Sequence, residues 1–244
     1  MTVLPFRRSA LGLEASPETP KPDGCWHGPI WLSSARADPA TYAAFLDDAP
    51  KTGFWPLVVQ TAVEAFDGAR ARSGSRPLDQ EDPIRLDPAE ILARWWRAGQ
   101  HSFPAARFPG LVRRSTARRD PLLYAMHCGT ELLIRDGGRL GLTKVRLSAD
   151  VPFRIGWPGA GLVRGKADAV AAVLGSWEHR FGTRLVGLGS TDLTLSVAAP
   201  PTTLNRALAI AAEHRAFCPR ICGEDQEAYA HSLLNHHIWR LRWS

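Results

Sequence analysis

The stretch Thr203–Cys222, TLNRALAIAAEHRAFCPRIC, constrains the fold more than any other part of the chain. On a helical wheel Leu204, Ala207, Leu208, Ala211 and Cys218 share one face at i, i+3, i+4, i+7 spacing. His214 lies inside that apolar arc, one turn before Cys218, while Arg206 and Glu213 are expected on the opposite side. Thr202 or Thr203 caps the start after Pro200-Pro201. Pro219 stops the helix, because it has no N–H to give to the carbonyl four residues back. The segment therefore predicts a buried helix over 203–217 with an imidazole and a thiol on its inner face.

The chain has 244 residues, enough for one large domain or two small ones. Hydrophobic residues at 45% and charged residues at 22% exclude disorder for the bulk of it. Nine tryptophans supply large apolar anchors. No apolar run approaches the roughly 20 residues of a membrane-spanning helix. The segment MTVLPFRRSALGLEAS has no apolar core behind its two arginines, so no secretory signal is expected. Cys25, Cys128, Cys218 and Cys222 are too scattered for a disulfide scaffold, and a reduced, cytoplasmic protein is expected. The net charge of +6 is local: Arg94, Arg97, Arg107, Arg113, Arg114, Arg118 and Arg119 lie together without an acid, leaving 23 basic against 24 acidic residues elsewhere.

Residues 1–25 read as an irregular arm and 67–82 as a surface loop. Asp38-Pro39 and Asp87-Pro88 each combine an N-cap with Pro at N1, predicting helices to about Asp48 and Gly99. Phe54–Gln60 reads as a buried strand. Leu122–Met126, Glu131–Arg135 and Leu140–Leu147 read as strands, the last two joined by an Asp136-Gly137-Gly138 hairpin. Pro158–Gly161 reads as a tight loop. Ala167–Phe181 predicts a helix closed by Gly182, followed by strands at Arg184–Leu188 and Asp192–Val197. A helix over about Glu224–His236 and a last strand over Ile238–Trp243 complete the chain. This order predicts an α+β domain over 122–244 with a mixed or antiparallel sheet and helices packed on one side. A ferredoxin-like βαββαβ unit with an added helix is one form of it. Residues 1–121 are expected to form a smaller N-terminal α/β extension ending in the arginine-rich connector.

Val173–Gly182 (VLGSWEHRFG), Leu193–Pro201 (LTLSVAAPP) and Ala211–Pro219 (AAEHRAFCP), in that order, resemble a bacterial family, common in actinobacteria, called domain of unknown function 4253. Leu140–Asp150, Gly156-Trp157 and Trp239–Trp243 extend the resemblance over residues 140–244. It implies a fold and an organisation but no reaction. Arg220 stands where the family has Asp, and Arg242-Trp243-Ser244 where it has Trp-Trp-Asp. Gly161 or Leu162 replaces a usual Asn. The missing acids at Arg220 and Ser244 leave it open whether an ancestral activity survives.

His214, Cys218 and Cys222 fall at i, i+4 and i+8, a spacing from which zinc could take two ligands on one helix. Pro219 interrupts that helix before Cys222, and the simpler reading is a buried Cys with a His bonded to backbone. A nucleophilic Cys218 with Glu213 and His214 beside it requires an exposed, electropositive thiol, which an apolar helix face does not give. In Trp177-Glu178-His179-Arg180, neighbours diverge by about 100° on a helix. Trp177 is expected in the core, with Glu178 and Arg180 on a solvated face or in a strand-end salt bridge. No phosphate-binding glycine loop is present.

The first reading is a cofactor-free protein-interaction module, immunity-type or regulatory, that uses the seven arginines and Trp157 against a partner with an acidic surface. The second is an enzyme or zinc protein centred on Glu213, His214 and Cys218. The third is nucleic-acid binding through Arg94–Arg119, with Trp95, Trp96, Phe103 and Phe108 interleaved. Partner identity and oligomeric state are not encoded in any motif.

Overall fold

The computed structural model describes residues 19–61, 86–99, 107–115, 119–157, 159, 167–223 and 225–243. The expectations for residues 1–18, 67–82, 103, 118, 158 and 160–162 lie outside these. Three helices open on the same Asp-Pro signal: α1 (Pro39–Thr52), α2 (Pro88–Gly99) and α3 (Pro121–Arg135). In each, the aspartate side chain accepts an otherwise orphaned N–H of the first turn: Thr41 N to Asp38 at 2.9 Å, Ala89 N to Asp87 at 2.8 Å and Leu122 N to Asp120 at 3.0 Å.

Helix α3 corrects the sequence reading, which placed two strands and a hairpin here. Ala125, Cys128, Gly129, Leu132 and Leu133 are buried at helical spacing. The Asp136-Gly137 pair closes the helix instead of turning a hairpin. Gly137 adopts φ 70°, and its N–H reaches back to Leu132 O at 3.2 Å and Leu133 O at 3.0 Å. Gly129 has a separate role. A Cβ there would lie 2.2 Å from the Tyr42 ring, so only glycine lets α1 and α3 approach so closely.

The strands are β1 (Gly24–His27), β2 (Ile30–Arg36), β3 (Phe54–Val59), β4 (Arg139–Lys144), β5 (Thr183–Leu188), β6 (Asp192–Val197) and β7 (Ile238–Arg242). They form one sheet in the order β1-β2-β4-β3-β5-β6-β7. Only β3 and β5 run parallel, and their ladder covers just Val58 and Val59. Pro56 sits outside that ladder, which lets a central strand tolerate it. There the indole of Trp55 takes over, donating to Leu185 O at 2.7 Å.

The mixed-sheet α+β class is as expected, and β5, β6 and β7 follow one another as a meander rather than interleaving as in a ferredoxin-like unit. A single sheet takes strands from both sides of residue 121, with β3 at its centre.

Helix α4 (Val151–Arg154) is one short turn, and α5 (Ala167–Phe181), α6 (Leu204–Phe217) and α7 (Gln226–Leu233) complete the described helices. Contrary to the expectation of helices on one side, both faces of the sheet are covered. Trp239 and Arg240 are consecutive on β7 and so point to opposite faces. Trp239 meets Trp177 and Phe181 of α5, whereas Arg240 reaches Asp136 at the end of α3. The face that the sequence reading left open is the one covered by α1 and α3. Coverage on both sides explains why β6 is buried at Thr194 and Ser196 as well as at Leu193 and Leu195. No helix among the described residues is long and apolar enough to cross a membrane.

Candidate functional site

Helix α6 is largely buried, because α2 and α7 pack against it and α5 reaches it through Arg180 and Trp177. Ala207, Ile210, Ala211, Ala212, Glu213, His214, Ala216 and Phe217 are all buried, so Glu213 does not point to solvent as the wheel suggested. Its carboxylate has no exposed surface and meets Arg180 of α5, which is likewise buried rather than solvated.

The contact is two-pronged. Arg180 Nη1 donates to Glu213 Oε1 at 2.8 Å and Nη2 donates to Oε2 at 2.6 Å. Trp177 Nε1 adds a bond to Oε2 at 2.8 Å, and the backbone N–H of Val112 one to Oε1 at 2.7 Å. Arg180 also donates from Nε to Ser176 Oγ at 3.0 Å and from Nη1 to Val112 O at 2.8 Å. Removing two charges from water costs several kcal/mol per ion, roughly, unless every lone pair and proton finds a partner. Here both carboxylate oxygens are doubly occupied, so Glu213 has no acceptor capacity to spare for a substrate proton.

Val112 belongs to the arginine-rich connector, and residues 107–115 lie as a strap over α5 and α6. Both backbone groups of Val112 are held by the ion pair. Ser115 N–H donates to Arg180 O at 2.9 Å, and Arg206 Nη2 to Arg113 O at 2.7 Å. Phe108 packs against Trp96 of α2 at a ring separation of 5.9 Å. Arg107, Arg113 and Arg114 project from the strap, exposed. Arg94 and Arg97 on α2 and Arg119 ahead of α3 are also exposed, whereas Arg118 is outside the described residues. Trp157 is not on this surface: only 2% exposed, it donates from its indole to Gly189 O at 2.8 Å and belongs to the core.

His214 is enclosed by aromatic rings, with Trp239 at 4.4 Å and Trp177 at 4.9 Å, both edge-on. Burial, with the Arg180 charge adding to it, pushes its pKa down to about 3, so it stays neutral. Nδ1 lies 2.9 Å from the Tyr229 hydroxyl, and Nε2 has no hydrogen-bond partner. The tautomer that sets an N–H rather than a lone pair against the rings has Tyr229 donating to Nδ1.

The nearby thiols are equally committed. Cys218 Sγ donates to Arg242 O at 2.7 Å, and Cys222 Sγ lies 3.7 Å from Ala211 O. Burial pushes both up to about 12, far from a thiolate at neutral pH. Among the described residues no group of three or more His, Cys, Asp or Glu is arranged to hold a metal ion. Glu178 sits apart on the other side of α5. It accepts from Ser148 Oγ at 2.9 Å and Ala149 N at 3.1 Å, and it pairs with Arg184 at 3.2 Å. Burial raises its pKa despite the neighbouring Arg184. The sequence motif Trp-Glu-His-Arg is thus split as its helical angles require.

The chain is therefore a mixed α/β protein whose polar centre is a fully paired Arg–Glu site roofed by its own strap. Residues 139–244 match the model of a family described as Domain of unknown function (DUF4253). That region carries both Arg180 and Glu213, whereas the strap, α1–α3 and β1–β3 come from outside it. No curated protein and no solved structure matches the chain. The pairing of Arg180 with Glu213 and with Val112 escaped the sequence reading. Nothing local signals it, since the partners lie 33 and 68 residues from Arg180.

Proposed function

We propose that this protein is a cofactor-free protein-interaction module of a reducing, cytoplasmic compartment, an immunity-type or regulatory partner that binds an acidic protein surface. The observation that carries the reading is the strap. Arg113 and Arg114 are exposed while the backbone between and before them is pinned by Arg206 and by the buried ion pair. Side chains on a preorganised backbone lose less entropy on docking than those on a loose loop. Arg94, Arg97, Arg107 and Arg119 add positive charge nearby in the chain, which speeds encounter with an acidic partner.

The commitment of Glu213, His214 and Cys218 to internal bonds favours this reading over catalysis or zinc binding at those residues. All four cysteines are unpaired, which fits a reducing compartment.

Cross-linking with mass spectrometry in the source cell tests the proposal, comparing the natural chain with an Arg113→Glu, Arg114→Glu double variant. An acidic protein should be cross-linked near residues 107–119 and be lost with the charge reversal. Tight duplex-DNA binding with a steep salt slope, lost in the same variant, would replace a protein partner with nucleic acid. An unchanged cross-linking pattern would remove the arginines from function altogether.

A further inference from the structure

Strand β1 is one end of the sheet, and among the described residues no strand pairs with its outer side. Ser34 N–H donates to Asp23 O at 2.7 Å, which sets the alternation of the β1–β2 ladder. Cys25 and His27 turn their backbone groups toward β2, whereas Trp26 turns its N–H and C=O outward. Exposed edges are ordinarily blunted by charge, proline or a bulge. The opposite edge strand, β7, carries Arg240 and Arg242. Apart from being short, β1 has no such device: Gly24-Cys25-Trp26-His27 holds no Lys, Arg, Asp, Glu or Pro and keeps an unbroken register with β2.

The side chains of β1 divide by face. Cys25 and His27 lie on one, with Sγ 3.0 Å from His27 Nε2, and Cys25 is exposed. Trp26 lies on the other and is 51% exposed, which leaves a large apolar surface in water. A thiol and an imidazole held this close are half of a tetrahedral zinc site, which takes four ligands. Among the described residues no third His, Cys, Asp or Glu joins them.

A second copy supplies the other half by symmetry. When two β1 strands pair antiparallel about a two-fold axis at Trp26, that residue exchanges N–H···O=C bonds with its counterpart through the groups that point outward. Cys25 then lies directly opposite His27 of the second copy, in the closer, non-hydrogen-bonded kind of pair, with Cβ atoms about 4.5–5.5 Å apart. Two thiols and two imidazoles meet on one face, and the two Trp26 indoles meet on the other. A register shifted by one residue does neither, because it sends the ligands of the two copies to opposite faces.

We propose that β1 is a zinc-dependent dimerisation strand, in which Cys25 and His27 of two copies of this chain bind one zinc ion. Each thiol gives up its proton on binding and each imidazole ligates neutral through Nε2, so every ion bound releases two protons. A donor set of two sulfurs and two nitrogens selects zinc over hard, oxygen-seeking cations. The ion is a clasp between copies rather than a cofactor of partner binding, so it does not depend on the acidic-partner reading.

Titration of metal-stripped full-length protein with zinc chloride tests this, with molar mass read by analytical ultracentrifugation. The mass should double, saturate at about one zinc for every two chains, and return to its starting value with chelator. Cobalt in place of zinc should give a thiolate charge-transfer band and the strong visible bands of a tetrahedral site. Cys25→Ser and His27→Gln should each weaken zinc-dependent pairing at least about a hundredfold, since each removes half of the ligands. Cys25→His, which keeps a full ligand set, should recover pairing that Cys25→Ser loses. Trp26→Pro removes the outward N–H and leaves the bonds to β2 in place, so the chain should stay folded and monomeric in zinc. A mass unchanged by zinc overturns the proposal, as does a dimer that persists in chelator or in Cys25→Ser. Zinc bound by a monomer at one ion per chain would equally overturn the shared site.

Discussion

Glu213 closes a four-bonded site on Arg180, with both guanidinium Nη atoms within 2.8 Å of its two carboxylate oxygens and no surface of its own exposed. The Trp177 indole and the Val112 backbone fill the remaining lone pairs, and the arrangement is stable only because all members are present. Such a site ties α5, α6 and the strap into one unit.

Glu213→Ala should cost about 3–5 kcal/mol, because it strands a buried guanidinium together with two N–H donors. The combined Arg180→Met, Glu213→Leu variant should lose less than Glu213→Ala, although the Val112 and Trp177 N–H groups remain unpaired. Urea denaturation of the three proteins checks both statements. A Glu213→Ala variant as stable as the natural chain would show that the pair contributes nothing.

Stability should fall on the acid side because of His214. Its folded pKa of about 3 lies below the 6.5 of a free imidazole. Below pH 6.5 the unfolded chain therefore takes up a proton that the folded chain refuses, so the contribution is complete above 6.5 and lost progressively as pH falls toward 3. The slope from this one group is at most about 1.4 kcal/mol per pH unit. Comparing urea midpoints at about pH 7 and about pH 5 keeps clear of most carboxylate titration. His214→Phe should flatten the difference, leaving the smaller contribution of His237, whose pKa is lowered in the same direction by burial.

Thiol accessibility should divide the cysteines sharply. Cys25 is exposed on β1, whereas Cys128, Cys218 and Cys222 are buried, with thiols pushed up to about 12. An aromatic disulfide reagent should titrate one thiol quickly in the native protein, and Cys25→Ser should abolish that phase. Rapid labelling of Cys218 in the Cys25→Ser variant would reopen the reading of it as a nucleophile.

On α6 the energetic weight lies one step away from the face drawn on the wheel. Ile210 is wholly buried, while Leu208 is only partly so. Ile210→Ala should cost about 2–5 kcal/mol and Leu208→Ala less than half as much. Thermal or urea unfolding of the two variants decides it, and a larger loss at Leu208 would contradict the packing described for this helix.

Sequence alone determined the elements whose signals are local. Asp38-Pro39 and Asp87-Pro88 marked helix starts, Gly182 marked the end of α5, and the apolar runs at Phe54–Val59 and Asp192–Val197 marked strands. Asp120-Pro121 carried the same message and Gly137 the matching stop, so α3 was legible too, though the apolar clusters within it imitated two strands. His214 and Cys218 were likewise readable as buried, since a helical period reports which residues share an apolar face. Only tertiary structure decided that Glu213 and Arg180 face inward. A charged residue is buried when a complementary charge and the right backbone groups converge on it, and that convergence depends on helices 33 residues apart and a strap 68 residues from Arg180. The same holds for the central place of β3, whose neighbours β4 and β5 come from the other end of the chain. Strand pairing is set by which faces can be covered, and in this protein helices from both halves cover them.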